Sequence, residues 1–167
     1  MVSTINNLSI TPGVRPVVEE LNRFVTRPDV LAALRQAKAE GEKKLLRDPN
    51  LATAFVAFDL AQYGWANPEK VGSARVFVAR DSGERDRFER HANSTQYLFA
   101  LGGPVQTYVQ TKDGLRVDSY GEGDAAELEN RWQVVPPGIW HKSVAPGARN
   151  WWVVAFHTAR NVTDEYQ

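Results

Sequence analysis

Apolar positions before residue 70 recur every three or four residues, the spacing of amphipathic helices. Two such runs cover residues 16–25 and 29–47. Gly41 interrupts the second run and predicts a bend or a break, because glycine destabilises a helix interior. Asp48 precedes a proline and ends the run, since a residue in that position avoids the helical region. The apolar stretch 51–63 is compatible with either a buried strand or a helix.

After residue 70 the pattern changes to short strands separated by Gly, Pro and Asp turns, as at Asp81-Ser82-Gly83 and Pro136-Pro137-Gly138. Many short strands at this spacing predict a sandwich or a closed barrel, and a barrel removes exposed strand edges. We therefore predict a helical segment at 1–65, a β-barrel at 66–160 and a polar tail at 161–167 that frays. The predicted strands are 73–79, 87–91, 95–101, 105–111, 115–119, 132–135 and 151–157.

Composition narrows the function classes. Lys plus Arg and Asp plus Glu each number 20 in the 167 residues, and no basic cluster forms, so nucleic-acid binding is not expected. The chain has no cysteine, which excludes disulfides, thiolate nucleophiles and Cys-based zinc sites. No apolar run is long enough for a bilayer, and the polar N-terminus does not resemble a signal peptide. We therefore expect a cytoplasmic protein without membrane contact.

All three histidines lie in the predicted β half. His91 ends one predicted strand, and His141 follows the Pro136-Pro137-Gly138 turn. Glu89 lies two residues before His91 and shares its strand face, so it could orient the imidazole or sit at the barrel rim. His157 lies on a Trp-rich strand and is interpreted as a hydrogen-bonded core residue.

The second turn and its histidine resemble a known motif. Pro136, Gly138 and His141 are similar to the second cupin motif, and Gln96 with Gly103 resembles half of the first. The resemblance implies a mainly β fold, a cupin-type double-stranded β-barrel (jelly roll), here with an N-terminal helical segment. If a metal is bound, it implies His91, Gln96 and His141 as ligands. Such a site would hold Zn, Mn, Ni or Fe weakly, because an amide is a poorer donor than a carboxylate.

A closer resemblance is to the ureidoglycolate lyase family of cupins, over residues 73–165. It is carried by the string 88–96 and by Trp140-His141 about fifty residues later. It implies elimination of urea from ureidoglycolate to give glyoxylate, with His91, His141 and Gln96 as catalytic residues and the imidazoles as base and acid. The residues expected to bind this small polar carboxylate are Arg80 (with Arg75 as its alternative), Thr95, Tyr108, Trp140 and Lys142.

Other functions fit the same barrel, since one fold serves many chemistries. One is a different metal-assisted lyase or isomerase acting on a small polar carboxylate. Another is a cupin that binds a small molecule without turnover. No nucleotide cofactor is expected. We also expect a homodimer, because the helical stripes need cover, cupins commonly pair and two-fold homodimers are the commonest soluble oligomers.

Overall fold

The structure, a computed structural model, describes residues 9–80, 87–147 and 150–167. The predicted turn at Asp81-Ser82-Gly83 lies outside these ranges. The described part contains two α-helices and ten β-strands, with short 3₁₀ turns at Ala61–Tyr63 and Leu128–Asn130. These elements are α1 Arg15–Val25, α2 Pro28–Arg47, β1 Thr53–Phe58, β2 Ser73–Ala79, β3 Glu89–His91, β4 Gln96–Ala100, β5 Val105–Thr111, β6 Gly114–Tyr120, β7 Trp132–Val135, β8 His141–Val144, β9 Trp151–His157 and β10 Asp164–Tyr166.

The strands form two five-stranded antiparallel sheets. The first sheet has the order β1-β2-β9-β4-β7, and the second has the order β10-β3-β8-β5-β6. Their inner faces share one apolar cluster, in which Phe77 and Trp151 of the first sheet pack with Val105 and Tyr120 of the second. The interior of the molecule therefore lies between the two sheets, as the predicted mainly β architecture requires.

The two helices cover the outer face of the first sheet. Leu21 of α1 and Leu34 of α2 are fully buried in one cluster with Val76 of β2 and Val154 of β9. The apolar stripes of the helices are thus buried by the chain's own sheet. A homodimer would have to use a different surface. In the described part of the chain, no helix is both long and apolar enough to cross a bilayer.

Helix α2 continues through Gly41, so of the predicted bend or break the break is wrong. The glycine instead permits close packing of the helix on the sheet. A Cβ atom at this position would lie 2.7 Å from Cγ2 of Val78 on β2. The lack of space between α2 and β2 therefore explains why position 41 is a glycine, and a helix-breaking effect is not needed.

Two segments that the sequence left open or misjudged form strands. The ambiguous stretch 51–63 contains β1, which alternates buried and exposed positions and pairs with β2 over all six residues. The tail was expected to fray, but β10 pairs with β3 and places Asp164 opposite His91. The fraying prediction is wrong because these backbone groups have partners, although the tail carries little apolar character.

Candidate metal centre

Strands β3 and β8 bring three potential ligands together on the inner face of the second sheet. Glu89 and His91 point to the same side of β3, and Glu89 pairs directly with His141 of β8. The turn before β8 is tied to β3 because the Gly138 amide donates to the His91 carbonyl. One donor atom from each of Glu89, His91 and His141 lies within 4.8 Å of the other two.

Hydrogen bonds fix how both imidazoles face this point. His141 Nδ1 lies 2.9 Å from the carbonyl oxygen of Ile139, so Nδ1 carries the hydrogen and the lone pair is on Nε2. His91 Nδ1 lies 2.7 Å from Oδ1 of Asp164 and donates to that carboxylate. Within the described residues, the buried Nε2 of His91 has no hydrogen-bond partner. With Nδ1 engaged in both rings, Nε2 is the ring nitrogen that each histidine can offer to a metal ion.

Asp164 is held in place by Arg75 of β2. The Arg75 guanidinium donates to both carboxylate oxygens, each at 3.1 Å. Burial raises the pKa of Asp164, but the hydrogen bonds and charge of Arg75, together with His91, outweigh it and keep this pKa below 3.8. Asp164 therefore remains ionised beside His91. Sequence reasoning missed this residue, because a three-residue polar strand carries no hydrophobic signal.

A narrow cavity lies beside the three potential ligands. Its polar lining consists of Arg75, Glu89, Gln96 and Ser143, and it contains about 320 Å³ of empty space, including its open mouth. The rest of its wall is apolar. The enclosed part of this space is only about 20 Å³, room for about one water-sized group, so a larger ligand would extend into the open mouth. The apolar lining residues are Phe55, Phe77, Leu98, Trp151, Val153 and Ala155.

The structure adds a donor that the sequence prediction did not include. Glu89 groups with His91 and His141. Gln96 lines the neighbouring cavity, where its Oε1 has no hydrogen-bond partner in the part of the chain that is described. Two imidazoles and a carboxylate fit a divalent transition metal ion, and they are stronger donors than two imidazoles and an amide.

His157 lies beside the same centre on β9. Its ring centroid is 4.8 Å from that of His91, and the two rings are nearly perpendicular. Burial above all, and then the charges of His91 and Arg75, lower the pKa of His157 to about 3, so this imidazole is neutral. The sequence predicts a hydrogen-bonded core histidine. It is buried, but neither ring nitrogen has a hydrogen-bond partner among residues 9–80, 87–147 and 150–167.

The structure does not bring Arg80 to the centre. Its guanidinium donates to the carbonyl oxygens of Leu45, Asp48 and Leu51, at 3.1 Å for Asp48 and 2.7 Å for Leu51. Arg80 therefore ties the C-terminal end of α2 to the start of β1. These bonds engage the guanidinium that was expected to hold the substrate, whereas Arg75, its alternative, lines the cavity.

Four other expected binding residues also lie away from the imidazoles. Trp140 and Lys142 flank His141 in sequence and point to the outer face of the second sheet. There the Arg90 guanidinium lies 4.6 Å from the Trp140 ring centre, and Lys142 Nζ lies 5.6 Å from that of Tyr108. Thr95 precedes Gln96, so its side chain takes the opposite face, and its backbone pairs with Thr158.

No family model and no curated protein matches the sequence. Solved structures with a similar fold include Bacillus subtilis oxalate decarboxylase, studied for its Mn(II) centres, at 14% identity and a TM-score of 0.53; the match covers 72% of this chain and 30% of that one. An oxalate oxidase in complex with glycolate has 17% identity and a TM-score of 0.52, with 71% and 56% covered. Peruvianin-I, a cysteine peptidase from Thevetia peruviana latex, has 18% identity and a TM-score of 0.51, with 70% and 67% covered.

At these identities the likeness concerns the fold alone. Oxalate decarboxylase and oxalate oxidase are cupin proteins, so the chain has the cupin fold, and the predicted fold class is confirmed. The chain spans less than a third of the oxalate decarboxylase and about half of the oxalate oxidase that it matches. The peptidase among the matches illustrates that activity does not follow from this fold.

Proposed function

We propose that this chain is a metal-dependent enzyme that binds a divalent transition metal ion through His91, His141 and Glu89 and acts on a small polar carboxylate. The convergence of these donors within 4.8 Å carries the proposal. Two imidazoles and a carboxylate with open positions form a donor set of Fe(II) oxygenases, and His₂Glu sets also hold catalytic zinc. Manganese is a further candidate, because the similarly folded oxalate decarboxylase has Mn(II) centres.

The bound ion would polarise a carbonyl or carboxylate oxygen of the substrate as a Lewis acid. The chain's own residues prepare the site for this. Asp164 and the Ile139 carbonyl orient the two imidazoles, and such supporting hydrogen bonds commonly tune metal affinity. Apolar side chains such as Leu98 and Trp151 form part of the cavity wall, and a wall of low polarity strengthens electrostatic interactions with the substrate.

Within this class we propose ureidoglycolate as the first substrate to test, with urea and glyoxylate as products. The amide of Gln96 lies in the cavity wall, where it can hydrogen-bond to a urea group. The elimination needs a base for the hydroxyl proton and an acid for the departing nitrogen. Nε2 of His91 or His141 can ligate a metal or transfer these protons, but it cannot do both at once. Metal-dependent and imidazole-only catalysis therefore differ in their response to a chelator.

The test is metal analysis by mass spectrometry on protein purified without chelator, combined with an assay of urea release. We expect about one metal ion per chain in the wild type, and loss of the ion in His141→Ala and Glu89→Gln. Lys142→Ala, on the same strand but facing outward, is the matched control and should keep the metal. Wild-type protein that neither carries nor takes up a divalent metal would refute the proposal.

The same assay separates the alternatives. Urea release that survives chelation would support acid–base catalysis by the imidazoles alone. Bound metal and ligand binding without turnover of small carboxylates would support a binding protein. Turnover of a carboxylate other than ureidoglycolate, dependent on the metal, would keep the proposed class and replace the substrate.

A further inference from the structure

We infer that Gln96 determines specificity in this cavity, and that it selects a small monocarboxylate carrying an N–H or O–H donor over a dicarboxylate. The inference rests on the proposed function, because it assigns a substrate class to the same site. It assigns Gln96 a contact with the ligand instead of the metal.

The first observation is the unpaired amide oxygen of Gln96. The side chain is 3% exposed and lines the cavity, yet its Oε1 has no hydrogen-bond partner in the described part of the chain. Buried polar atoms are almost always paired in native proteins, so an exception requires an explanation. A carbonyl oxygen only accepts hydrogen bonds, so its missing partner must supply a hydrogen.

The second observation is that other unpaired atoms lie around Gln96. His157 is its direct partner across the β4–β9 ladder, and neither ring nitrogen of His157 has a hydrogen-bond partner in the described residues. The same holds for the buried Nε of Arg75, which lines the same cavity. A neutral imidazole offers one donor and one acceptor, and Arg75 Nε offers a donor. A matching ligand brings both hydrogens and lone pairs, whereas a dicarboxylate brings lone pairs only.

The third observation is the charge around the cavity. The positive charge of Arg75 is offset by its paired carboxylate, Asp164. A divalent ion ligated by Glu89 would then leave one net positive charge, which matches a single carboxylate. A second carboxylate would be buried facing the neutral Gln96 without a counter-charge, and burying an unpaired charge is costly. Charge and hydrogen bonding therefore favour the same class of ligand.

The test compares malonamate with malonate, which share a skeleton and differ in one carboxamide in place of one carboxylate. Calorimetric titration of the metal-loaded, full-length chain should show tighter binding of malonamate. Gln96→Leu should weaken malonamate binding about fivefold and change malonate binding less than about twofold. The quantity compared between variants is the ratio of the malonamate affinity to the malonate affinity. Direct chelation of the metal by either compound is the same in both variants and cancels in this comparison. Gln106→Leu, the same change on the outward side of β5, should leave both affinities unchanged.

Metal content and melting temperature are measured for each variant as controls. Both should stay at wild-type values in Gln96→Leu. If Gln96→Leu fails to fold, Gln96→Met is titrated in its place. Malonamate binding that is insensitive to Gln96, a wild-type preference for malonate, or failure to bind either compound would each overturn the inference. Loss of metal from Gln96→Leu would also overturn it, since Gln96 would then be a ligand. A chain without metal that still prefers malonamate through Gln96 would refute the proposed function and leave the inference standing.

Discussion

Asp164 Oδ1 lies 2.7 Å from His91 Nδ1, so the three-residue strand β10 orients an imidazole more than seventy residues earlier in the sequence. Arg75 clamps the same carboxylate from the opposite sheet. The three side chains connect β2, β10 and β3. The geometry of His91 therefore depends on the docking of β10 onto the second sheet.

Replacing Asp164 should weaken metal binding without removing a ligand. Asp164→Asn keeps the size of the side chain but loses the charge that favours the Nδ1–H form of His91. We expect metal affinity to fall about 10- to 100-fold, as is typical for supporting carboxylates. Competition against a chromophoric chelator measures this. Glu165→Gln is the control, because Glu165 pairs with Arg90 on the outer side of β10. Equal metal affinities in the two variants would contradict the role of Asp164.

His157 should make the metal-free protein sensitive to acid. Its pKa is about 3 in the folded chain, whereas an unfolded histidine titrates near 6.5. Between these values the unfolded chain holds a proton that the folded chain lacks. The free energy of unfolding should therefore decrease as pH falls from 6.5 towards 3, by up to about 1.4 kcal/mol per pH unit. His157→Leu should flatten this slope in urea unfolding at pH 7.5, 6 and 5. An unchanged slope would show that His157 becomes protonated within the fold.

Most of the fold could be predicted from alternation and turn residues. The predicted bounds of β2, β5, β7 and β9 agree with the structure. The short strands β8 and β10 were harder, because three or four polar residues give no periodic apolar signal. The site was predicted in part: the motifs point to His91, His141 and Gln96, whereas Asp164 becomes a neighbour of His91 only through tertiary pairing.

Some errors in the site had a signal in the sequence. Trp140 and Lys142 flank His141, and successive side chains in a strand point to opposite faces. If His141 faces the interior, its two neighbours must face outward, as they do. The same alternation could have identified Glu89 as a site residue, since its spacing of two from His91 places both side chains on the inner face. Alternation is thus more informative here than the similarity of residue types to a family motif.

Arg80 should contribute to stability and not to ligand binding. Its bonds to the Asp48 and Leu51 carbonyls hold the end of α2, and they are partly exposed to water. Arg80→Ala should lower the free energy of unfolding by about 1 kcal/mol, with unchanged metal content. Arg75→Ala is the informative comparison, because it should reduce metal affinity by releasing Asp164. Reduced ligand affinity in Arg80→Ala at normal stability would restore the original expectation.

Gly41 should be required by packing. A methyl group there would approach Val78 Cγ2 to 2.7 Å, a distance at which either the Val78 side chain or the packing of α2 on β2 must shift. Overpacking of this kind costs about 1–3 kcal/mol, whereas alanine in place of glycine favours a helix by about 1 kcal/mol. Gly41→Ala should therefore destabilise the protein by up to about 2 kcal/mol in urea unfolding. Combining it with Val78→Ala removes the clash, so the double variant should be more stable than the sum of the single effects predicts. Strict additivity would mean that Gly41 is needed for some reason other than its contact with β2.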